Sequence, residues 1–340
     1  MKKILFCGAA LCLLLAACKN NSLNVDISSV EIVPLQTNRL EQDLFSITAS
    51  NFDQKTTDLK EKYGPFYEHY LMNPLRLNGT ADTAYKPLLL DFINNREIKD
   101  AYSAAQKLYP ASEIEKLEPE LNNMVKRFKY HFPGRELPSK FITCTTGWNY
   151  AVAYIDGALV TSLDMYLGDT SVFYKMLNYP QYQTRHMNKH YILPDLARGW
   201  LLTSFDNNQA QNNLLSHTIF YGKLYYAVNA LLPDINDSLL IGYTTKQMQT
   251  CNTYEKNYWS YFAEKNRLYE NNLNTIRELI MPNDGPFTAA ISKECPPRIG
   301  MWLGLQIVRS YMKNNENVTL DELMKETDAQ KILSKSKYRP

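Results

Sequence analysis

The chain has 340 residues, with 37 Lys and Arg against 35 Asp and Glu, and 45% of it is hydrophobic. This is the composition of a globule long enough for one large domain or two ordinary ones. The near balance of charge speaks against a nucleic-acid partner, which needs a basic face.

The first eighteen residues form the first element. Lys2 and Lys3 give a positive start, residues 4–15 run apolar without a charge, and Leu15-Ala16-Ala17-Cys18 follows. This is the order of a secretory signal peptide. The apolar run is shorter than the roughly 20 residues a membrane-spanning helix needs. The Leu-Ala-Ala-Cys ending resembles the bacterial lipobox, in which the Cys thiol takes a diacylglycerol and cleavage occurs just before it. Cys18 is therefore the expected lipidation site and the membrane an expected partner, each buried CH₂ contributing about 0.8 kcal/mol. Residues 1–18 read as the signal, 19–27 as a tether and 28–340 as one globular domain. No acidic cluster follows Cys18, and the expected placement faces the periplasm.

Residues 28–35 read as a strand before a helix from about Asn38. Helices follow over 51–72, 84–109 and 112–131, the last with Ser112 and Glu115 spaced as a capping box. Residues 140–164 are the clearest β region. Residues 151–155 and 158–163 flank Asp156-Gly157, which suits a two-residue turn because both central residues need positive φ. Residues 141–143 add a third strand, and a small antiparallel sheet is expected here. From Pro194 onward the pattern is helical, with Leu196, Trp200, Leu201 and Phe205 on one face. The next helix runs over 209–232. Thr244 with Gln247 caps a short helix, Asn252 with Glu255 starts one over 253–270, another covers 297–313, and Thr319 with Glu322 caps a last one. The expected class is α+β, dominated by helices.

Motifs for nucleotide binding and for a serine nucleophile are absent. His186 and His190 stand at i and i+4, a spacing that holds zinc when it lies on a helix. A zinc hydrolase of that type also places Glu after the first His as general base, and Met187 stands there. Pro194 disfavours helical geometry at Leu193, so the two read as a surface pair. His217 shares a face with Phe220, Leu224 and Val228 and reads as a hydrogen-bonded core residue. Asp156 is explained by its turn, Glu255 by its cap, and Asp195 by the helix dipole. Asp164 lies where the chain leaves the sheet. Gly300 and Gly304 permit close helix contact. No catalytic residue, metal or cofactor is expected.

Cys144, Cys251 and Cys295 are too few and too widely spaced for a disulfide framework; one pair can form in an oxidising compartment. The 24 tyrosines read as packing around a large helical core, each hydroxyl reaching water or a carbonyl. The other reading is a flat amphipathic cleft for a sugar or a peptide.

Several segments carry a resemblance: 63–67 (YGPFY), 130–133 (YHFP), 162–168 (SLDMYLG), 185–187 (RHM), 221–223 (YGK) and 241–244 (IGYT). The stretch 297–304 (PRIGMWLG), with its continuation 306–312 (QIVRSYM), is the most specific. Together with the lipobox they resemble the gliding motility lipoprotein GldB family of Bacteroidetes bacteria. The resemblance implies an envelope lipoprotein tied to gliding machinery, indirectly to type IX secretion, and working through envelope protein partners. It implies no established catalytic residue. The family is also distantly similar to predicted zinc-dependent proteases, which implies a metal-free relative of their fold here, since H-E-x-x-H is missing. A shared fold does not carry an activity with it. The alternatives are a degenerate metallohydrolase and a lipoprotein that binds cell-wall glycan.

Overall fold

A computed structural model of the chain describes residues 23–205, 211–280 and 285–340. The expected signal, Cys18 and the start of the tether lie outside the described residues. Four short strands form one sheet: β1 (Gln36–Arg39), β2 (Lys140–Cys144), β3 (Val152–Ile155) and β4 (Ala158–Ser162), in the order β1-β2-β4-β3.

The sheet is mixed, which corrects the antiparallel expectation. Only the β3–β4 hairpin is antiparallel, while β2 lies parallel to both β1 and β4. The hairpin turns at Asp156 and Gly157, whose φ angles of 49° and 69° are those its sequence requires. The first strand falls at 36–39, after an irregular stretch covering the expected 28–35. Leu35 N–H donates to Asn122 Oδ1 at 3.0 Å and Gln36 N–H to Ser139 O at 3.0 Å, which sets where pairing begins.

Both faces of the sheet are covered, as parallel strands require. Alternation along the strands sends Phe141 and Leu159 into the larger, mostly C-terminal core. It sends Ile142, Cys144, Ala158 and Val160 into a second core with the N-terminal helices. The C-terminal layer is built on the helix Leu214–Leu231, which is buried on nearly every face. A helix apolar all round belongs in the centre of a protein. The helix Ile299–Asn314 packs along it. A Cβ on Gly304 would overlap the Thr218 carbonyl, and one on Gly222 would overlap the Gly304 backbone. The helix Ile192–Ser204 joins this layer to the sheet, with the Trp200 ring 5.8 Å from Tyr154 of β3 and stacked 3.8 Å from Phe128.

Three expected long helices are each two. The stretch 51–72 divides at Gly64 into Phe52–Tyr63 and Pro65–Met72, because φ +59° at Gly64 ends one helix and Pro65 starts the next. The stretch 84–109 divides at Asn95, whose side chain accepts from Ile98 N–H as an N-cap. The stretch 112–131 becomes Ala111–Glu115 and Glu118–His131, and Ser112 lies inside the first with no cap bond. The boxes at Thr244–Gln247 and Thr319–Glu322 form as expected. Asn252 starts no helix: Thr245–Ala263 runs through it and kinks at Tyr254. No helix among the described residues is long and apolar enough to cross a membrane.

Tyrosines mostly do what packing demands. Half of the 24 are buried. Tyr70, Tyr109 and Tyr174 donate to the carbonyls of Thr145, Tyr166 and Asp164 at 2.5, 2.5 and 2.9 Å.

Candidate functional site

The histidines singled out by spacing are not one site. Residues 185–187 form a turn after the helical turn Gln181–Thr184, and His190 lies exposed on the 3-10 turn Lys189–Tyr191. No helix therefore carries His186 and His190 on one face. His217 sits half-buried on the central helix with Nε2 2.7 Å from Asn212 Oδ1. Its Nδ1 is buried without a partner. Among the described residues no three His, Cys, Asp or Glu side chains are grouped to hold a metal ion.

His186 belongs instead to a half-buried polar cluster where five segments meet. The turn after Gln181–Thr184 supplies Arg185 and His186. Gly242 ends the helix Asp237–Ile241 with φ +80°, a left-handed conformation that suits glycine. A side chain there would also crowd the cluster, since a Cβ would lie 3.1 Å from His186 Nε2 and 3.5 Å from Arg298 Nη2. Arg298 precedes the helix Ile299–Asn314 with φ +59°. The helix Ile192–Ser204 adds Asp195 and Arg198, and the central helix adds Tyr221 and Tyr225.

The hydrogen bonds assign charges. His186 Nε2 is 2.8 Å from the Gly242 carbonyl. A carbonyl only accepts, so Nε2 carries the proton, and the Arg185 Nε at 3.1 Å faces another donor rather than an acceptor. Burial first, then the charges of Arg185, Arg298 and Arg198, push the His186 pKa down to about 4 despite the Gly242 bond. His186 is neutral at pH 7. Arg198 Nη2 pairs with Asp195 Oδ1 at 2.5 Å, and Tyr166 donates to Asp195 Oδ2 at 2.8 Å. Arg185 and Arg298 are different. Their Nη2 atoms reach only backbone carbonyls, Gly242 O and Ile241 O, each at 3.3 Å. Neither meets a carboxylate among the described residues. Burial, and then Arg298, lower the pKa of Arg185.

Asp164 is fully buried and fixes the loop after β2. Its carboxylate accepts from Trp148 N–H at 2.9 Å, from Thr146 N–H at 3.2 Å and from the Ser162 hydroxyl. Two residues on, Tyr166 supports Asp195. The sequence shows Asp164 only as an acid at the end of a strand; its role comes from a loop eighteen residues earlier.

Three thiols, Cys144, Cys251 and Cys295, are free and buried. Among the described residues, three grooves stand out on the surface. One, of about 1260 Å³, runs past Leu23, Tyr130, His131, Arg309 and Lys313. A second passes Lys189 and His190. A third is flanked by Tyr254, Tyr258 and Tyr261. None is lined by Arg185 or Arg298.

Five of the segments that carried the resemblance, around 166, 185–187, 221, 241–244 and 298, converge on the arginine cluster. The family described as gliding motility protein GldB matches residues 20–340. The chain belongs to this family. No curated protein and no solved structure matches it, and the expected likeness to zinc-dependent proteases gains no support. In this member of the family, the place where those five segments meet is a cluster of guanidiniums, phenols and one neutral imidazole.

Sequence reasoning did not single out Arg185, Arg198 or Arg298 as site residues. The only local signal was Arg298 directly after Pro296-Pro297 and before a helix. Their convergence depends on contacts between residues more than fifty positions apart.

Proposed function

We propose that this protein is a lipoprotein of the bacterial envelope, anchored through Cys18 and facing the periplasm, that serves gliding motility and the associated type IX secretion apparatus as a non-enzymatic component. The family match over residues 20–340 carries this reading, and the lipobox supports the anchor. The described cluster offers groups that bind and orient, with no nucleophile set beside a base. Its work in the envelope is contact with protein partners rather than turnover.

The anchor orients the domain. Leu23 packs on the C-terminal core. Five residues at about 3.6 Å each keep it within about 18 Å of the Cys18 lipid. The groove past Leu23, Tyr130 and His131 therefore belongs to the membrane-proximal face, and partners meet the remaining surface.

The test is replacement of the chromosomal copy in a gliding host by a Cys18→Ser version, beside a deletion. The expected result is loss of colony spreading in both, with the variant leaving the membrane fraction. Normal spreading after deletion would overturn the motility role. Membrane retention of the Cys18→Ser protein would overturn the anchor.

A further inference from the structure

We infer that Arg185 and Arg298 form a binding site for a doubly charged oxyanion, a phosphoryl group, held over the Gly242 turn beside Tyr191. This inference does not depend on the anchoring or motility reading.

Charge balance comes first. Of three arginines in the cluster, Arg198 is neutralised by Asp195 at 2.5 Å. His186 has its proton on Nε2 and uses it on the Gly242 carbonyl at 2.8 Å. That leaves Arg185 and Arg298, two adjacent half-buried cations with no carboxylate partner among the described residues. Like charges brought together away from bulk water are costly, and structures normally pair such groups. A site with two uncompensated positive charges is matched by a dianion. A phosphate dianion fits that count, whereas a single carboxylate leaves one charge over.

Donor supply comes second. Each guanidinium has five N–H donors in a fixed fork. The two arginines use one Nη each on carbonyls, both at a long 3.3 Å. Most of the fork remains for a ligand, and guanidinium forks suit phosphate geometry. The backbone holds the forks in place. Arg298 has φ +59°, and Gly242, at +80°, has no Cβ to separate Arg298 from His186. A left-handed non-glycine residue is a strained conformation and marks a constrained position.

The surroundings come third. Tyr191 is half-buried beside Arg185 and Arg298, and Tyr221 is half-buried on the Arg198 side of the cluster. The Tyr191 ring lies 5.0 Å from His186, and Tyr221 is close enough to feel the Arg198 charge. Their hydroxyls take no hydrogen bond among the described residues. Tyr191 is placed to donate to a phosphoryl oxygen or to flank the group it is attached to.

The experiment is calorimetric titration of the full lipidated protein in detergent, in a buffer free of phosphate, with three probes: inorganic phosphate, phenyl phosphate and acetate. The expected result is saturable binding of phosphate in the millimolar range or tighter, with acetate at least tenfold weaker. Tighter binding of phenyl phosphate identifies a phosphomonoester on a larger molecule as the source, and equal binding identifies the free ion. Arg185→Gln and Arg298→Gln should each weaken phosphate at least tenfold. Arg309→Gln, whose partner is Asp237, should leave it unchanged. If a variant fails to fold, the wild-type protein decides alone: phosphate should raise the melting temperature beyond chloride at equal ionic strength. No saturable phosphate binding, acetate binding as tightly as phosphate, or undiminished binding in both folded arginine variants would overturn the site.

Discussion

Gly304 lies against Gly222 so closely that a Cβ on either would overlap the backbone of the facing helix. Both neighbours are main chain, which cannot rotate away as a side chain can. The contact joins the two helices that form the centre of the C-terminal layer. Overpacking a core costs about 1–3 kcal/mol, sometimes more. Gly304→Ala and Gly222→Ala should each reduce stability by about 3 kcal/mol in urea unfolding. Their combined effect should fall short of the sum, because either one already separates the helices. A loss below about 1 kcal/mol for both would contradict this packing.

Asp164 is predicted to hold the loop after β2. Its carboxylate receives two backbone N–H groups and one hydroxyl, all buried. Asp164→Ala leaves those donors without partners, and an unmet buried donor costs about 1–3 kcal/mol. The expected loss is about 3 kcal/mol or more, with a shifted Trp fluorescence spectrum from Trp148. Asp164→Asn keeps one acceptor oxygen and should lose less. An Asp164→Ala protein as stable as wild type would remove Asp164 from this role.

Stability should fall on acidification through two histidines. Burial holds the His131 and His186 pKa values down to about 4, against about 6.5 for a free imidazole. Between these values the unfolded chain binds protons that the folded one refuses, so stability is present above pH 6.5 and drains as pH falls toward 4. Neither ring is wholly buried, so each contributes about 1–2 kcal/mol after discounting for solvent. His186→Asn retains a donor for the Gly242 carbonyl and should lose about 1–2 kcal/mol less than wild type over that window. Equal pH slopes for the two proteins would show that His186 is not held neutral.

These residues also show how far the sequence could be read. The hairpin at Asp156-Gly157 and the boxes at Thr244 and Thr319 are local, set by dihedral demands and side chains three residues apart, and they form as expected. The parallel pairing of Gln36 with Lys140 has no local signature, so the sheet reads as antiparallel from its hairpin alone. Long helical patterns conceal breaks, as at Gly64 and Asn95, because apolar periodicity continues across a cap. At the site, His186 draws attention through its spacing to His190, yet its partner is the Gly242 carbonyl. Arg185 and Arg298 look ordinary in sequence because what distinguishes them is that no carboxylate among the described residues meets them in three dimensions.

Thiol reactivity should report the buried state of the domain. Burial raises the pKa of Cys144, Cys251 and Cys295, the last to about 12, and the thiolate is the reactive form. Ellman's reagent should read no thiol in the native lipidated protein and three in concentrated guanidinium. A fourth thiol would mean that Cys18 carries no lipid. Two fewer on unfolding without reductant would mean a disulfide in place of the free thiols.

The N-terminal segment is predicted to be strapped to the helix Glu118–His131. Arg127 Nη1 donates to Val25 O at 3.2 Å and Nη2 to Asn24 Oδ1 at 2.9 Å, while Lys129 Nζ reaches Glu31 O at 2.7 Å. These bonds are exposed or only partly buried, so their removal costs global stability little, about 1 kcal/mol. They do fix where the chain leaves the domain toward Cys18. Arg127→Ala should therefore speed hydrogen exchange at amides 24–31 while leaving the sheet amides protected. In a membrane-bound preparation the same change should broaden the distance distribution between a spin label near Tyr130 and labelled headgroups, because the domain then swings on a longer free tether. Unchanged exchange at 24–31 would mean that contacts such as Leu23 on the core hold the strap without Arg127, and the orientation of the domain would then rest on apolar packing instead of the guanidinium.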